Sequence, residues 1–475
     1  MTKQHENVIL IDLPVFPKGV ISLSLLLVAR CFSKTYNVKI IDLNFAKEDD
    51  NLYTTRNTAM YGLKVSSQSL PYAITITEKI KRLNPSSKII WGGELPSLLP
   101  ELCLQYAHSI VQGLFEPIAE RFITDLQANQ LQAKYHGDNS PEQTFTAADF
   151  SLLPHADKYY QFMGYPMETS RGCTEKCIFC MVHTMQKKNY NLKALDSLKE
   201  NIAQYKNKFI NVVDYNFGVN ERHVVEVAQL IKDSGAIGWM AEMCIELLDN
   251  ERLLQALKDS RCKMIYCGLE SIDQSGLKSV HKMNTNHVEN YERIIRKVQQ
   301  YEIQVAAGVI LGLEGTHENT FDELFKFYQR MGIIYAKLTF LTYNPGTKAH
   351  EYEKKKGVYL TENIENYDGN QLTFLPAGLD ADYIAKGTKA FIKKYYSGLG
   401  IINRSFNSTL SFWSRLEFIL FNICYREVYF QWLRLDTLNQ PNNLKFLIEK
   451  PFKKSRLIQL AEKTLHWVRI KQIKD

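Results

Sequence analysis

The sequence lacks an uncharged apolar run of about 18 residues or more, which a membrane-spanning helix would require. It is also poor in cysteine, with nine in 475 residues, which excludes the disulfide framework of a small secreted domain. Residues 1–7 show no apolar core of a signal peptide. These absences predict a protein of the reducing cytoplasm, and the chain length predicts about two or three domains.

Three of the cysteines stand close together. Cys173, Cys177 and Cys180 follow one another at C-x3-C-x2-C spacing. Three thiolates on one short loop can each ligate one iron of a [4Fe–4S] cluster and leave the fourth iron open for a small ligand. A structural zinc site needs a fourth ligand, and His183 is the alternative that could complete it. We predict that the three cysteines are the cluster ligands and the catalytic centre.

The segment Thr169-Ser-Arg-Gly-Cys173 through Phe179-Cys180 resembles the cluster loop of the radical S-adenosylmethionine (SAM) enzymes. The resemblance implies that SAM binds the open iron through its amino and carboxylate groups. It also implies that an electron from the cluster cleaves SAM to methionine and a 5′-deoxyadenosyl radical, which abstracts a substrate hydrogen. In such enzymes the cofactor supplies the chemistry and the protein supplies position and shielding. An electron donor such as flavodoxin or ferredoxin is implied as a partner.

Short apolar segments alternate with helical ones in residues 1–128. This alternation is typical of an α/β fold in which helices cover both faces of a parallel sheet, here a flavodoxin-like (Rossmann-type) domain. Ligands of such sheets lie beyond the carboxyl ends of the strands, where the sequence places Ser66–Ser69, Gly92-Gly93 and Gly113. The predicted strands are Val8–Leu13, Val38–Leu43, Tyr61–Val65, Lys88–Trp91 and His108–Val111.

The order of this domain and the cluster loop resembles that of the cobalamin-binding-domain radical SAM enzymes. The resemblance implies that cobalamin lies against the strand-end turns and faces the cluster. The Asp-x-His-x-x-Gly signature, whose histidine ligates cobalt, is absent after Val8–Leu13, so this histidine cannot be the lower ligand. The alternative is a degenerate domain that only shapes the substrate pocket. The implied cobalamin contacts are Ser66, Ser67, Gly92, Gly93 and Gly113.

A second series of strands and helices follows a polar segment. Residues 129–165 are predicted as a linker because they are rich in glutamine and turn residues. Residues 166–351 contain six predicted strand–helix units, which indicate a partial (β/α)6 barrel with its active site at the carboxyl ends of the strands. Residues 352–475 are predicted as a helical C-terminal region. The barrel strands are predicted at Met167–Ser170, Phe209–Val213, Trp239–Cys244, Met264–Cys267, Gln304–Leu311 and Ala336–Thr342.

The radical SAM resemblance assigns SAM contacts to the ends of these strands. Asp214 or Asn216 would bind the ammonium group, and Glu270 with Ser271 would bind the ribose. Val309–Leu311 would pack on the adenine. A strand-end Asp or Glu can instead cap the following helix. The implied set is Phe179, Asp214, Asn216, Glu270, Ser271, Val309, Ile310 and Leu311.

The C-terminal region is basic and aromatic. Residues 401–475 hold 13 Lys and Arg against 6 Asp and Glu, a net charge of +7 that equals the charge of the whole chain. Eight aromatic residues fall within Phe412–Leu435. The favoured interpretation is a core helix packed on the barrel beside a solvated basic face. The alternative is an interfacial helix that gives the protein peripheral membrane contact.

Three functions remain open from the sequence. The leading one is a cobalamin-dependent radical SAM methyltransferase, or a related carbon-skeleton enzyme, acting on an unactivated carbon of a small-molecule, lipid or natural-product substrate. The second is a radical SAM enzyme of another type without functional cobalamin. Among these, tRNA methylthiolation is disfavoured because residues 1–165 hold only Cys31 and Cys103, whereas that class carries three further cluster cysteines there. The third is a corrinoid or redox sensor, and no nucleic-acid-binding motif supports a specific nucleic-acid partner.

Overall fold

The computed structural model describes residues 6–15, 17–46, 49–140, 146–186, 189–356, 361–375, 379–434 and 453–474. Its strands are β1 (Asn7–Asp12), β2 (Asn37–Asp42), β3 (Thr58–Lys64), β4 (Lys88–Gly92), β5 (Ser109–Gly113), β6 (Lys134–Gly137), β7 (Tyr165–Met167), β8 (Ser170–Arg171), β9 (Asn191–Leu192), β10 (Phe209–Val212), β11 (Gly238–Glu242), β12 (Cys262–Glu270), β13 (Gln304–Leu311) and β14 (Tyr335–Phe340). Its α-helices are α1 (Leu23–Phe32), α2 (Leu70–Leu83), α3 (Glu94–Leu98), α4 (Pro100–Leu104), α5 (Ala119–Gln127), α6 (Val182–Gln186), α7 (Leu195–Lys199), α8 (Glu221–Asp233), α9 (Glu251–Asp259), α10 (Gln274–Ser279), α11 (Val288–Gln300), α12 (Thr320–Met331), α13 (Lys348–Lys355), α14 (Ala381–Tyr395), α15 (Gly398–Asn407), α16 (Phe412–Arg434) and α17 (Arg456–Lys474).

The first sheet has six parallel strands in the order β2-β1-β3-β4-β5-β6. Strand β1, between β2 and β3, is buried on both faces, with Ile9 and Ile11 in one apolar core and Val8 and Leu10 in the other. Burial on both faces is expected where helices cover both sides of a parallel sheet. All five strands predicted for this region are present, with shifted ends, and the predicted α/β fold with parallel sheets is confirmed.

The sixth strand, β6, lies inside the segment that the sequence predicts as a linker. It pairs with β5, and Gly137 stands opposite Gly113. Only alternate residues of β6 are buried, among them Tyr135. A short edge strand with alternating polar residues has the same local composition as a loop. The linker prediction is therefore wrong at β6.

The second sheet also has six parallel strands, in the order β14-β13-β12-β11-β10-β7. Because the strands are parallel, their carboxyl ends lie on one edge of the sheet. The predicted first strand, Met167–Ser170, is divided: β7 ends at Met167, and β8 pairs antiparallel with β9. This short ribbon carries the chain from the second sheet into the cluster loop.

Helix α16 packs against the amino-terminal side of the second sheet. The rings of Phe421 and Tyr425 lie 5.5 and 6.3 Å from that of Phe162, just before β7. Tyr425 also donates a hydrogen bond of 2.7 Å to Tyr335, the first residue of β14. Phe418, Phe421 and Tyr425 are buried, which favours the packing interpretation for this part of α16, and the membrane contact of the C-terminal region stays a prediction. Leu435, the predicted end of the helix, lies outside the described residues.

Helix α17 lies beside α16 on the same side of the sheet. Nε of Arg469 donates to Glu417 on α16 at 2.7 Å. The guanidinium group also lies 3.5 Å from the ring centroid of Phe209, the first residue of β10. None of the described helices is long and apolar enough to cross a bilayer.

Candidate active site

The cluster loop begins at Gly172, directly after β8. Gly172 has φ 85°, and a Cβ at this position would lie 1.6 Å from the carbonyl oxygen of Asn189. Only glycine can therefore stand here. The amide of Cys180 donates to the carbonyl of Cys177 at 3.2 Å, which folds the end of the loop into a turn before α6. The Thr-Ser-Arg-Gly-Cys motif thus has a local structural reason for its glycine.

The three thiols are neighbours in this loop, and the Cys177 thiol interacts electrostatically with those of Cys173 and Cys180. Burial raises the pKa of Cys177 to about 12, and the charge of Lys282 opposes this. In the described part of the chain, no three Cys, His, Asp or Glu side chains converge as ligands of one metal ion would. A [4Fe–4S] cluster needs no such convergence, because each thiolate binds a different iron. The donor set fits a cluster with one open iron.

Asp214, just past the end of β10, is committed to hydrogen bonds. Its Oδ1 accepts from the Thr169 amide at 2.7 Å, and its Oδ2 accepts from Thr169 Oγ1 at 2.6 Å and Ser170 Oγ at 2.7 Å. Burial raises the pKa of Asp214 to about 6, and these hydrogen bonds oppose the rise. The carboxylate thus fixes the strand that leads into the cluster loop. Its predicted contact with the SAM ammonium stays a prediction, and the geometry favours a positioning role.

Asn216 is engaged in the same way with the neighbouring strand end. Its Nδ2 lies 3.2 Å from Cys244 Sγ, and its Oδ1 accepts from the Cys244 amide at 3.2 Å. Both residues are buried. Asn216 therefore joins the ends of β10 and β11, and the geometry again favours positioning.

Six of the eight predicted SAM contacts lie together at the carboxyl ends of β12 and β13. Phe179 of the cluster loop and Ile310 pack on one small apolar cluster, whose buried members include Val280 and Leu313. A cleft of about 80 Å³ opens beside it. The structure thus brings the cluster loop and the predicted ribose and adenine contacts to one edge of the sheet. The predicted residues that line the cleft are Glu270, Ser271, Val309, Ile310 and Leu311.

Glu270 holds a strained and charged position at this edge. Its φ of 63° is left-handed, a conformation that costs a non-glycine residue energy and is found at ligand sites. Its Oε1 lies 3.8 Å from Nζ of Lys282, and both side chains are largely buried. Burial raises the pKa of Glu270, and Lys282 opposes this rise.

Lys282 is a site residue that the sequence analysis missed. Burial would lower its pKa, but Glu270, Cys244, Cys177 and Glu242 together hold the pKa of Lys282 above its ordinary value. It lies on a loop between α10 and α11, where lysine is a common surface residue. No local signal distinguishes it, because its function depends on partners from other parts of the chain.

A cavity of about 330 Å³ lies between the carboxyl edge of the first sheet and the ribbon that leads to the cluster loop. Gly92, Gly93 and Gly113 line it from the first sheet, and Ser170 and Tyr215 line it from the opposite side. A Cβ at Gly92 would meet only Val111 within 4 Å, so the glycine keeps this wall open. The cavity lies where the resemblance implies that cobalamin binds, and three of the five implied contacts line it.

The two predicted serine contacts stand outside the lining of this cavity. Ser66 Oγ lies 3.2 Å from Ser69 Oγ, and Ser67 Oγ donates to Glu94 Oε1 at 3.4 Å. Their cobalamin contacts remain a prediction without support from this geometry. No histidine is found among the described residues that line the cavity.

Arg171, directly before the cluster loop, joins the two sheets. Its guanidinium Nη2 forms ion pairs with Glu116, which follows β5, and at 2.9 Å with Glu168, which follows β7. Lys193 lies 2.8 Å from the same oxygen of Glu168. We call these four residues the Arg171 network. Burial alone would raise the pKa of Glu168, but Lys193 and Arg171 hold it below its ordinary value.

The interior face of the second sheet carries two further charges. Glu242 at the end of β11 and Lys337 in β14 keep accessible surface, and neither has a hydrogen-bond partner among the described residues. Burial raises the pKa of Glu242 to about 7, and the charge of Lys337 opposes this rise. Gly308 leaves room for the Tyr266 side chain of the neighbouring strand, since a Cβ there would lie 2.0 Å from the Tyr266 hydroxyl.

Residues 167–328 match the sequence model of the radical SAM superfamily. Over 394 residues, the chain is 23% identical to bacteriochlorophyllide d C-12(1)-methyltransferase of Chlorobaculum tepidum. The alignment covers 80% of this chain and 84% of the relative. It is 21% identical to the hopanoid C-2 methylase of Rhodopseudomonas palustris, over 79% of this chain and 71% of the relative. The resemblance to radical SAM enzymes predicted from the cluster motif is confirmed.

Among solved structures, the chain matches the radical SAM methyltransferase TsrM of Kitasatospora setae, whose structure contains cobalamin and a [4Fe–4S] cluster. The TM-score is 0.64 at 14% identity, over 90% of this chain and 100% of TsrM. At this identity the match shows a shared fold. The shared fold extends over both parallel sheets, because the match covers nearly the whole chain.

Proposed function

We propose that this chain, whose residues 167–328 match the radical SAM superfamily, is a cobalamin-dependent methyltransferase acting on an unactivated carbon. The observation that carries the proposal is the cavity lined by Gly92, Gly93 and Gly113 on one side and by Ser170 and Arg171 on the other. A corrinoid in this place would face the cluster loop. The proposal includes the organisation into a cobalamin-binding domain (1–128, with β6 added to its sheet), a linker over the rest of residues 129–165, a radical SAM core (166–351) and a C-terminal region (352–475).

When bound, the cluster, SAM and methylcobalamin would supply the electron, the hydrogen-abstracting radical and the methyl group. The chain's own residues hold these groups in place. Cys173, Cys177 and Cys180 would bind the cluster, while Asp214 fixes the strand before it. Glu270 would bind the ribose hydroxyls of SAM, as carboxylates do in dinucleotide folds. A reducing compartment and an electron donor such as flavodoxin or ferredoxin belong to the same proposal.

We expect the anaerobically purified protein to bind cobalamin in the base-off form, with no histidine of the chain on cobalt. The missing signature histidine and the absence of histidine among the described cavity residues support this expectation. The test is the EPR spectrum of the Co(II) form, which should show no hyperfine splitting from a nitrogen ligand on cobalt. Splitting by nitrogen contradicts the expected ligation. Failure to bind any corrinoid, with SAM cleavage retained, favours a radical SAM enzyme without functional cobalamin.

We also infer that the substrate presents a polar group to the face of the second sheet that carries Glu242 and Lys337. Hydrogen abstraction and methyl transfer at carbon require no further acid or base, so Glu242 and Lys337 are available for recognition. Both side chains keep accessible surface and have no side-chain hydrogen-bond partner among the described residues, so a ligand that reaches them can pair with their charges. An ammonium group at Lys337 suits a carboxylate on the substrate.

Lys337→Met should weaken the binding of a carboxylate ligand by about tenfold to a hundredfold, the usual worth of a charged hydrogen bond. Protoporphyrin, which carries two carboxylates, can serve as the probe, with its dimethyl ester as the neutral comparison and quenching of porphyrin fluorescence as the readout. Lys199→Met, at an exposed lysine on α7, is the matched control. SAM cleavage without substrate should stay unchanged in both variants. Equal affinity of the wild-type protein for acid and ester would contradict the role of Lys337.

A further inference from the structure

The exposed large apolar side chains of the described residues are concentrated in the C-terminal region. Seven of the eleven fall between residues 399 and 467. Single exposed apolar residues are normal on protein surfaces, but a contiguous group marks an interaction site. We call these seven residues the apolar surface: Leu399, Ile402, Phe406, Phe412, Leu457, Leu460 and Trp467.

Within each helix the members of the apolar surface share one face. On α15, Leu399, Ile402 and Phe406 recur at intervals of three and four residues, which places them on one side of a helix. On α17, Leu460 and Trp467 are separated by two helical turns and also lie on one side. The buried residues of both helices face the protein, so these apolar stripes face outward.

Side-chain contacts link the stripes across the three helices. The guanidinium of Arg415 on α16 lies 4.7 Å from the ring centroid of Phe406 on α15. The rings of Phe412 and Trp413 are 5.2 Å apart, and those of Trp413 and Trp467 are 5.9 Å apart. These contacts place Phe406 of α15 and Trp467 of α17 on either side of the first turn of α16.

Positive charge surrounds this surface. Arg415 lies within it, exposed Lys463 stands on α17, and exposed Lys393 and Lys394 end α14 next to α15. The acidic group nearest the start of α16, Glu302, accepts hydrogen bonds from Ser411. The basic excess of residues 401–475, noted from the sequence, thus accompanies the exposed aromatic rings.

We propose that the apolar surface docks on an anionic lipid bilayer. Trp and Phe side chains beside Lys and Arg are the composition that peripheral proteins present to a membrane, since the rings enter the boundary of the acyl chains while the cations meet the headgroups. Each lysine or arginine near an anionic leaflet adds to the attraction. The proposal concerns a surface away from the cluster loop, and it stands independently of the methyltransferase assignment.

The location of the surface has a consequence for orientation. Helices α16 and α17 pack against first residues of strands, such as Tyr335 of β14 and Phe209 of β10. The cluster loop and the SAM cleft lie at the carboxyl ends of the strands, on the other edge. Docking through the apolar surface would leave the catalytic edge uncovered.

The test is co-sedimentation of the full-length protein with vesicles of phosphatidylcholine, with and without phosphatidylglycerol. We expect sedimentation with the anionic vesicles at low salt and release at about 0.5 M salt, where screening is strong. The triple variant Phe406→Gln/Phe412→Gln/Trp467→Gln should lower the partition coefficient between vesicle and solution by at least about tenfold. The reason is that three aromatic rings that would insert into the bilayer are removed. Tyr352→Gln, which removes a similarly exposed ring on α13, should leave binding unchanged.

The charge contribution has its own variant. Lys393→Glu/Lys463→Glu should weaken binding to anionic vesicles and leave the weaker binding to neutral vesicles unchanged. Thermal unfolding and SAM cleavage without lipid should match the wild-type values in all variants, which separates loss of binding from loss of fold. No sedimentation of the wild-type protein at low salt would overturn the proposal. So would a shift of the triple variant from dimer to monomer in size-exclusion chromatography, because a second copy of the chain would then cover the surface.

Discussion

Replacement of Cys173, Cys177 and Cys180 together by alanine should abolish both the iron–sulfur absorbance at about 400 nm and the formation of 5′-deoxyadenosine from SAM. Each thiolate holds a different iron, so no remaining ligand can keep the cluster in this loop. The measurements are iron content, visible absorbance and deoxyadenosine after anaerobic incubation with SAM and dithionite. We expect complete loss of deoxyadenosine formation, because SAM cleavage depends on the electron from the cluster.

Cys31→Ala is the control for this experiment. Cys31 is partly buried in the first domain, far in sequence from the cluster loop, and its replacement should leave iron content and SAM cleavage unchanged. A triple variant that kept four irons and SAM cleavage would refute the assignment of the cluster. Retention of a single zinc ion by the wild-type protein, with no iron after anaerobic reconstitution, would instead favour the His183 alternative.

Arg171→Met should destabilise the protein by about 3–5 kcal/mol, the usual cost of removing one partner from a buried ion pair. The Arg171 side chain is 1% exposed, and Glu116 and Glu168 are 6% and 18% exposed. Without the guanidinium, two carboxylates face each other with Lys193 as the only cation of the network. Because Arg171 adjoins Gly172 and Cys173, the same change should lower the iron content after reconstitution. Urea unfolding and iron analysis measure the two effects.

Two comparison variants separate the network from a general effect of losing an arginine. Arg222→Met removes an arginine whose side chain is 87% exposed and paired with Glu226 on the surface, and it should change stability by less than about 1 kcal/mol. Arg171→Met/Glu116→Gln removes the uncompensated carboxylate as well, keeps the Glu168–Lys193 pair, and should recover much of the lost stability. A single Arg171→Met variant as stable as the wild-type protein would contradict the role of the network.

The network also predicts how stability depends on pH. Lys193 and Arg171 hold the pKa of Glu168 below its ordinary value of 4.5. A depressed carboxyl pKa stabilises the folded state fully above the ordinary value, and this contribution is lost as pH falls through the lowered value. The wild-type protein should therefore lose stability below about pH 4.5. In Arg171→Met this loss of stability should be smaller, because the pKa of Glu168 is then lowered by Lys193 without Arg171.

Local patterns were enough to predict the two parallel sheets and the cluster. Strands such as β1 and β13 are short apolar runs between turn residues, so their own residues determine them. The cysteine spacing and Gly172 are equally local, because one loop of the chain supplies all three cluster ligands. Strand β6 was missed since its polar residues become a strand only by pairing with β5.

What the sequence by itself determined is therefore the α/β class, the cluster loop and its likeness to radical SAM enzymes. The tertiary structure decided which polar groups are free and which are engaged. Asp214 and Asn216 are bound to neighbouring strand ends, whereas Glu242 and Lys337 keep no hydrogen-bond partner among the described residues. Arg171 gains its role from Glu116, 55 residues earlier in the chain. The structure also decided that Phe418 and Phe421 are buried while Phe406, Phe412 and Trp467 are exposed. The physical reason is the same in each case: burial and charge pairing depend on contacts between distant segments, and these contacts exist only after the chain has folded.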